Sequence, residues 1–362
     1  MTDGASRRPL GRRMGVTMAD VAGRAGVSTA TVSRILSGAL RARPETRERV
    51  FAAVEELGYR PSGVARSLKL QRTRTLGLII TDVENPFFAE IVRAVEDAAM
   101  VSEYAVVLCN GADDPEREAA YLEILAERRV DGIIVATGGV GGRHARWLAT
   151  APLPVVMTNS EVAMPGVPTI LSDNRAGGRL AVDHLLGLGH RTIAHISAPR
   201  VHGAARPRLA GIRDGLAAAG LAGRGLVTVV GDGHVAGGER AMARLIRRSP
   251  DLSAVICYND LTAIGALRAL RASGRRVPED VSVVGFDGLS LAGYVDPPLT
   301  TVAQATVAMS QWAVRRLIER IDEHAAAPTG TAAPTGADVT EIVRLPVRLV
   351  VRGSTGPAPG AR

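Results

Sequence analysis

Cysteine and aromatic residues are scarce in this sequence. Two cysteines, Cys109 and Cys257, occur among 362 residues, and Phe, Trp and Tyr together make up 3%. Two cysteines are too few for the disulfide framework of a secreted scaffold. Both lie in apolar stretches typical of buried strands, where a free thiol behaves as a small hydrophobic group. This usage indicates a reducing compartment, and we expect a cytoplasmic protein.

The sequence also lacks the signals of membrane insertion and export. No run of about 18 apolar residues occurs, and the four arginines within the first 13 residues are not followed by the apolar segment of a secretory signal. We therefore expect no membrane partner.

Signals of metal binding and catalysis are missing as well. The seven histidines show no metal-ligand spacing, and neither a phosphate-binding loop nor a nucleophile elbow occurs. The glycines of segment 231–236 fit the spacing of a dinucleotide fingerprint, but Asp251, at the expected distance, follows Ser-Pro in a predicted turn. We expect no metal, no cofactor and no enzymatic activity.

Positive charge is concentrated in the first fifth of the chain. Residues 1–74 contain 15 Lys and Arg against 6 Asp and Glu, whereas residues 75–362 contain 29 against 30. Binding to a polyanion needs local basic density, because phosphate contacts release counterions. The asymmetry favours a nucleic-acid-binding module on a neutral body, with a solvated basic tail as the alternative.

The N-terminal part predicts a disordered basic arm at 1–15 and three short helices at 16–60. Thr17 and Asp20 form a capping-box pattern, and Ser28 is a good N-cap for a second helix after the Ala-Gly-Val turn. Pro44 begins a third helix, for which we predict one apolar face; its members are Val50, Phe51, Val54 and Leu57. Two short helices joined by a tight turn predict a helix-turn-helix.

From residue 75 the pattern changes to short Val-, Ile- and Leu-rich runs alternating with amphipathic helices, which is typical of parallel α/β units. The predicted strands lie near 75–81, 104–109, 131–136, 154–158, 167–172, 191–197, 225–230, 253–257, 281–285 and 339–351. So many strands favour two doubly wound Rossmann-like lobes. We assign about 75–163 and 299–324 to the N-lobe, and about 166–296 and 339–352 to the C-lobe, with a tail at 356–362.

Ordered motifs along almost the whole chain resemble the LacI/GalR (lactose-repressor) family of bacterial transcriptional regulators. The motifs are TxxDVAxxAGVSxxTVSR (17–34), PETRERV (44–50), ELGYRP (56–61), ARSL (65–68), NPFF (85–88), RRVDGII (128–134), GHRTIAHI (189–196), YND (258–260), VPEDVSVVGFDG (277–288), PPLTTV (297–302) and LPVRLVVRGST (345–355). The resemblance implies a helix-turn-helix headpiece, a hinge at 61–74 and a periplasmic-binding-protein-like body at 75–355.

The resemblance also implies DNA-contacting residues. Thr29, Ala30 and Arg34 match positions that contact base edges. The positions that bind phosphates are matched by Thr17, Ser28, Thr31 and Ser33. In the hinge, Leu68 matches the leucine that the family inserts between base steps of the minor groove, and Ala65 lies beside it.

In the body, Arg208, Asn259 and Asp287 match effector-contacting positions of the family, and Phe87 and Phe88 are candidates for the pocket wall. Alternatives remain open for four of these residues. Asn259 and Asp287 could instead cap the helices that follow them, and the two phenylalanines could pack the first body helix onto its sheet. At 233–234 the chain has Gly-His where many sugar-responsive relatives have an aromatic platform, so we expect weaker stacking on a sugar ring.

We therefore expect a sequence-specific DNA-binding transcriptional regulator that acts as a repressor. It would bind a pseudo-palindromic operator as a homodimer under the control of a small molecule, such as a sugar, held between the lobes. The alternative is a cytosolic sugar-binding protein or sugar-processing enzyme with an incidental basic arm.

Overall fold

The chain divides into two compact units, Met1–Thr73 and Arg74–Arg362, which we call the headpiece and the body. The computed structural model describes residues 16–36, 42–59, 72–138, 142–162, 164–199, 203–222, 226–326 and 341–360. The predicted basic arm at 1–15 and the hinge residues Ala65 and Leu68 lie outside the described residues.

The described residues of the headpiece form three helices: α1 (Met18–Ala25), α2 (Thr29–Leu36) and α3 (Pro44–Leu57). The predicted capping box is present, because Thr17 Oγ1 accepts from Asp20 N at 3.3 Å and Asp20 Oδ2 accepts from Thr17 N at 2.7 Å. At the other end of α1, Gly26 has φ 64°, a left-handed conformation that glycine adopts without strain. These local signals fix where α1 begins and ends.

The apolar faces of the three helices form a small core of their own. Its buried members are Val21, Ala22, Ala25, Val32, Ile35, Val50, Ala53 and Tyr59. The prediction that Phe51 lies on the core face of α3 was wrong, since its side chain is 44% exposed. Val50, Ala53, Val54 and Leu57 follow the helical spacing of three and four, whereas Phe51 is one position out of phase. Phe51 instead packs beneath the Arg47 guanidinium, 5.5 Å from its ring centroid.

The body contains two six-stranded sheets, each with helices on its faces. The first part of the body, up to residue 172, contains β1 (Thr75–Ile80), α4 (Pro86–Val101), β2 (Ala105–Asn110), α5 (Pro115–Glu127), β3 (Gly132–Ala136), α6 (Gly142–Ala149), β4 (Val155–Thr158) and β5 (Thr169–Ser172). Together with β11 (Ile342–Leu345) these strands form the first sheet, in the order β11-β5-β4-β3-β1-β2. All of its pairs are parallel.

The second lobe repeats this plan. Its elements are α7 (Asn174–Gly187), β6 (Ile193–Ser197), α8 (Ala205–Ala218), β7 (Leu226–Val230), α9 (Val235–Arg248), β8 (Ala254–Cys257), α10 (Asp260–Ala272), β9 (Ser282–Asp287), a short 3-10 helix (Ser290–Gly293), β10 (Thr300–Ala303) and β12 (Arg348–Val350). The sheet order is β12-β10-β9-β8-β6-β7, and β12 alone is antiparallel to its neighbour in this sheet. The long helix α11 (Thr306–Ala326) packs on α4 and on β3, β4 and β5 of the first lobe.

The chain crosses between the lobes three times, and the predicted lobe boundaries were wrong at each crossing. The strand at 169–172 belongs to the first sheet, so the first crossing follows β5 and not the Pro/Gly-rich break before it. The second crossing follows β10 at 300–303, which lies in the second sheet. The sequence patterns did not predict a strand there. The third lies between β11 and β12, which were predicted as one strand segment. Hydrophobic patterning detects a buried strand but does not identify which of two similar sheets it joins.

Glycines bring the helices of the second lobe into backbone contact. A Cβ at Gly178 would collide with the Arg208 carbonyl, and a Cβ at Gly211 would collide with the Arg175 carbonyl, where α7 and α8 pack together. The pair α9 and α10 repeats this arrangement through Gly238 and Gly265. Such close approach leaves no room for a side chain at these four positions.

The C-terminal segment packs along the base of the second lobe. The imidazole of His190 lies 3.0 Å from Ser253 Oγ through Nδ1, and 3.0 Å from the Gly356 carbonyl through Nε2. Ser354 is fully buried and donates through Oγ to the Val283 carbonyl at 2.6 Å. His190 of the GHRTIAHI motif therefore anchors the residues that follow β12.

Two expectations from composition can be compared with the described residues. Cys109 and Cys257 lie in β2 and β8 and are buried free thiols, as predicted. Burial raises the pKa of both thiols. Within the described ranges, no helix combines the length and the apolar character needed to cross a membrane.

Candidate DNA-reading face and ligand cleft

The second helix of the headpiece presents a polar face opposite its buried face. Val32 and Ile35 of α2 are buried in the headpiece core, whereas Thr29, Ala30 and Arg34 are exposed. Ala30 and Arg34 are four residues apart and therefore lie on one face of the helix. All three residues predicted to contact base edges are therefore exposed at the surface. Their contacts with DNA remain predictions.

The residues predicted to bind phosphates also hold the helix ends. Thr17 Oγ1 donates to Asp20 Oδ2 at 2.7 Å, within the capping box of α1. Ser28 Oγ accepts from Thr31 N at 3.1 Å and lies 2.9 Å from Thr31 Oγ1, at the start of α2. Ser33 is half-buried on the next turn. Thr17 and Ser28 therefore cap the two helix starts, and the phosphate contacts stay predictions.

A cleft lies between the two lobes of the body, at the carboxyl ends of the strands. It encloses about 550 Å³ of space not occupied by atoms, part of it continuous with solvent. The five residues predicted to contact an effector all line this cleft: Phe87, Phe88, Arg208, Asn259 and Asp287. The loops after parallel strands are where open α/β sheets place ligands. Their role as ligand contacts stays a prediction.

Phe87 and Phe88 occupy positions that fit both roles considered for them, in the pocket wall and in the packing of the first body helix on its sheet. Phe87 and Phe88 lie in the first turn of α4 and meet edge to face, with ring centroids 5.2 Å apart. They line the cleft and are also buried in the apolar cluster that packs α4 onto its sheet. That cluster also includes Leu261 and Leu289 of the second lobe.

Arg208 is buried and holds three elements together. It lies in the first turn of α8; its Nε donates to Asn174 Oδ1 at 2.9 Å and its Nη1 donates to the Tyr258 carbonyl at 2.5 Å. The guanidinium stacks on Phe286, 3.6 Å from the ring centroid. Its Nη2 lies 3.7 Å from Asp287 Oδ1. Asn174 in turn donates to Glu161 at 2.8 Å, which extends the network into the first lobe.

Asp287 does not cap the helix that follows it. Its Oδ1 accepts from Gln304 Nε2 at 2.8 Å, and its backbone has φ 120°, a strained conformation for a residue with a Cβ. Burial raises the pKa of Asp287 to about 8, with Arg208 opposing the shift and Asp260 adding to it. Asp260 Oδ2 accepts from Gly288 N at 3.0 Å and from Leu289 N at 2.8 Å, and so holds the two residues that precede the 3-10 helix.

The capping alternative was correct for Asn259. Its Oδ1 accepts from Thr262 N at 2.9 Å and from Thr262 Oγ1 at 2.6 Å, which caps α10. Its Nδ2 donates to the Gly233 carbonyl at 2.8 Å, which fastens the loop after β7. An amide nitrogen has two hydrogens, so one N–H of Asn259 is available to a ligand.

An imidazole of the second lobe faces two carboxylates of the first. His234 Nδ1 lies 3.9 Å from Asp82 Oδ2, and His234 Nε2 lies 3.9 Å from Asp113 Oδ2. These separations exceed hydrogen-bond length, so no direct hydrogen bond joins the imidazole to either carboxylate. No cluster of three or more His, Cys, Asp or Glu able to hold a metal occurs among the described residues.

Sequence reasoning missed most of the first-lobe wall. Thr81, Asp82, Asp113 and Asn159 line the cleft but match no motif that the sequence reading used for the effector. Thr81 and Asp82 directly follow β1, and Asn159 directly follows β4. The rule that polar residues at the carboxyl ends of parallel strands face the ligand crevice would have found these three.

The helix-turn-helix headpiece and the two-lobed body with its interlobe cleft define the class of ligand-responsive DNA-binding regulators. The comparisons with known proteins agree at the level of each unit. Residues 17–62 match "Bacterial regulatory proteins, lacI family", and residues 73–352 match "Periplasmic binding proteins and sugar binding domain of LacI family". The chain belongs to the LacI family of bacterial regulatory proteins, as its motifs predicted.

Individual relatives match over nearly their full length. The "Ribose operon repressor" of Halalkalibacterium halodurans is 36% identical over 339 residues, covering 94% of this chain and 97% of the relative. The "HTH-type transcriptional repressor PurR" of Aliivibrio fischeri is 37% identical over 310 residues, covering 85% and 92%. Among solved structures, a lac repressor dimer bound to operator and the anti-inducer ONPF matches with TM-score 0.82 and 30% identity, covering 95% and 100%.

Proposed function

We propose that this protein is a transcriptional repressor that binds a pseudo-palindromic operator as a homodimer and is controlled by a small molecule bound between its lobes. The observation that carries the proposal is that one chain presents an exposed Thr29, Ala30 and Arg34 face on a helix-turn-helix and an interlobe cleft lined by Arg208, Asn259 and Asp287. The relatives named as repressors support it. It acts by binding rather than catalysis, in the bacterial cytoplasm at the nucleoid.

In the proposed complex, Thr29, Ala30 and Arg34 contact base edges. Ala30 has no hydrogen-bonding group and contributes by contact with a thymine methyl or by leaving space. Thr17, Ser28, Thr31 and Ser33 position the headpiece on phosphates. One headpiece spans a short half-site, so two copies related by a two-fold axis would contact an inverted repeat.

Control by the effector needs two states that differ in ligand affinity. Three chain crossings join the lobes, and the cleft lies between those lobes. A ligand that binds one lobe arrangement more tightly shifts the population of that arrangement. The hinge residues Ala65 and Leu68 transmit this difference to DNA, with Leu68 as a wedge between central base steps.

Selection of purified full-length protein against a random duplex library, at near-physiological salt, tests the proposal. Enrichment of an inverted repeat with a deformable central step is the expected result. Leu68→Ala should bind the enriched site more weakly and bend it less. Salt-sensitive retention without an enriched sequence, with or without metabolite extract, would contradict a sequence-specific repressor.

A further inference from the structure

The first-lobe wall of the cleft contains polar atoms that the described part of the protein leaves without hydrogen bonds. They are Thr81 Oγ1, Asp82 Oδ2 and Asn159 Oδ1, and the three residues line the same cleft. Thr81 is 7% exposed and the Asp82 side chain 14%. A ligand that satisfies buried polar groups binds more tightly, because leaving them unsatisfied has a free-energy penalty.

Two of these three atoms accept hydrogen bonds and do not donate them. Asp82 contributes a carboxylate oxygen and Asn159 an amide carbonyl oxygen, while the Thr81 hydroxyl can do either. The other oxygen of Asp82 already accepts from Glu84 N at 2.9 Å. This wall therefore complements a molecule that donates hydrogen bonds.

The charges that face this wall add further acidic character. Asp113 lines the same lobe, and His234 lies between Asp82 and Asp113, 3.9 Å from each carboxylate. The Arg208 guanidinium is directed at Asn174, Tyr258 and Asp287. A phosphate or carboxylate placed against Asp82 would meet a like charge at short range in a partly desolvated site, which is unfavourable.

Two helix N-termini beside the cleft are capped by the protein's own side chains. Phe87 N of α4 donates to Asn85 Oδ1 at 3.0 Å, and Thr262 N of α10 donates to Asn259 Oδ1 at 2.9 Å. At α9, the Asp232 carboxylate packs against the first turn, where a Cβ at Gly237 would collide with it. An anion at α4 or α10 would have to displace these oxygens, and an anion at α9 would meet the Asp232 charge.

We propose that Thr81, Asp82 and Asn159 form the part of the effector site that sets its specificity, and that they select a hydrogen-bond-donating molecule without a phosphate or carboxylate group. The inference rests on the proposed function, because it takes the cleft as the effector site. Neutral polyols, amines and uncharged nucleosides have the required chemistry. Their phosphorylated or oxidised counterparts do not.

Matched pairs of probes test the charge selectivity on the full-length protein. The pairs are D-ribose and D-ribose 5-phosphate, D-xylose and D-xylonate, and adenosine and AMP, measured by thermal shift and titration calorimetry. We expect at least one neutral member to bind, and its anionic partner to bind at least tenfold more weakly. An anionic member that binds as tightly as its partner, or no binding by any neutral member, would overturn the inference.

Two charge-removing variants then test Asp82. Asp82→Asn keeps an oxygen for Glu84 N but removes the negative charge from the cleft, and Glu84→Gln removes the same charge from an exposed neighbour. The neutral ligand should bind Asp82→Asn at least tenfold more weakly, with less discrimination against its anionic partner, while Glu84→Gln stays within twofold. Unchanged affinity in a folded Asp82→Asn protein would refute the assignment.

The operator selection distinguishes failure of the charge selectivity from failure of the repressor function. An enriched inverted repeat together with a tightly bound anionic ligand would refute the charge selectivity and leave the repressor function standing. No enriched sequence would refute the repressor function itself, whichever probes bind.

Discussion

Replacement of Arg208 by methionine tests whether the buried guanidinium stabilises the body as well as lining the cleft. Arg208→Met removes charge-assisted hydrogen bonds to Asn174 and to the Tyr258 carbonyl, and the stacking on Phe286. Each such hydrogen bond contributes about 1.5–3 kcal/mol, and breaking a buried ion pair costs about 3–5 kcal/mol when a charge is left uncompensated.

The protonation state of Asp287 decides how far the free energy of unfolding falls within this range. Because burial raises the pKa of Asp287 to about 8 even beside Arg208, and loss of that cation raises it further, the carboxyl is protonated at neutral pH in Arg208→Met. No isolated charge then remains in the core, and methionine fills most of the vacated volume. We therefore expect the free energy of unfolding to fall by about 3 kcal/mol, at the lower end of the range.

Urea unfolding followed by tryptophan fluorescence and far-UV circular dichroism measures this change. Both tryptophans, Trp147 and Trp312, lie in the body, so the fluorescence signal excludes the headpiece. Arg206→Met, an exposed change on the same helix, is the matched control and should stay within about 0.5 kcal/mol. A loss of less than about 1 kcal/mol in Arg208→Met would refute the stabilising role derived from these contacts.

Three further changes have defined outcomes. Arg34→Ala should weaken operator binding by about 1–3 kcal/mol in fluorescence anisotropy with little change in ligand affinity, and unaltered operator affinity would remove this residue from the base contacts. His195 is buried with its pKa lowered to about 4, so the stability it contributes is complete above pH 6.5 and is lost as the pH falls towards 4. The difference in unfolding free energy between wild type and His195→Gln should therefore change by about 3 kcal/mol across that window, and a constant difference would contradict it. Gly211→Ala should lower the free energy of unfolding by at least about 2 kcal/mol, because the added Cβ collides with the Arg175 carbonyl. Gly187→Ala, where the added Cβ meets open space, should be neutral or stabilising. Equal effects of the two substitutions would refute the close packing of α7 and α8.

Local signals in the sequence determined the headpiece and most strands of the body. The Thr17–Asp20 capping box, the start of α3 at Pro44 and its end before Gly58 involve groups only a few residues apart, and the structure has them as predicted. Apolar runs identified nine of the body strands because most of these strands are buried and therefore rich in Val, Ile and Leu. The resemblance to the family identified Arg208, Asn259 and Asp287 in three separate segments. All three line one cleft in the structure.

Other features were decided by packing over long sequence distances. The strands at 169–172, 300–303 and 342–345 joined sheets that no local pattern specifies, because either sheet can pair with an apolar strand. The same holds for Asn259: the sequence left both a cap and a ligand contact open, and the contacts with Thr262 and the Gly233 carbonyl established the cap. Thr81, Asp82 and Asn159 meet in one wall only because parallel strands end at the same edge of the sheet. The sequence by itself determined where helices and strands form, since those interactions span a few residues; the tertiary structure decided which of their ends meet, since that depends on how the two sheets are assembled.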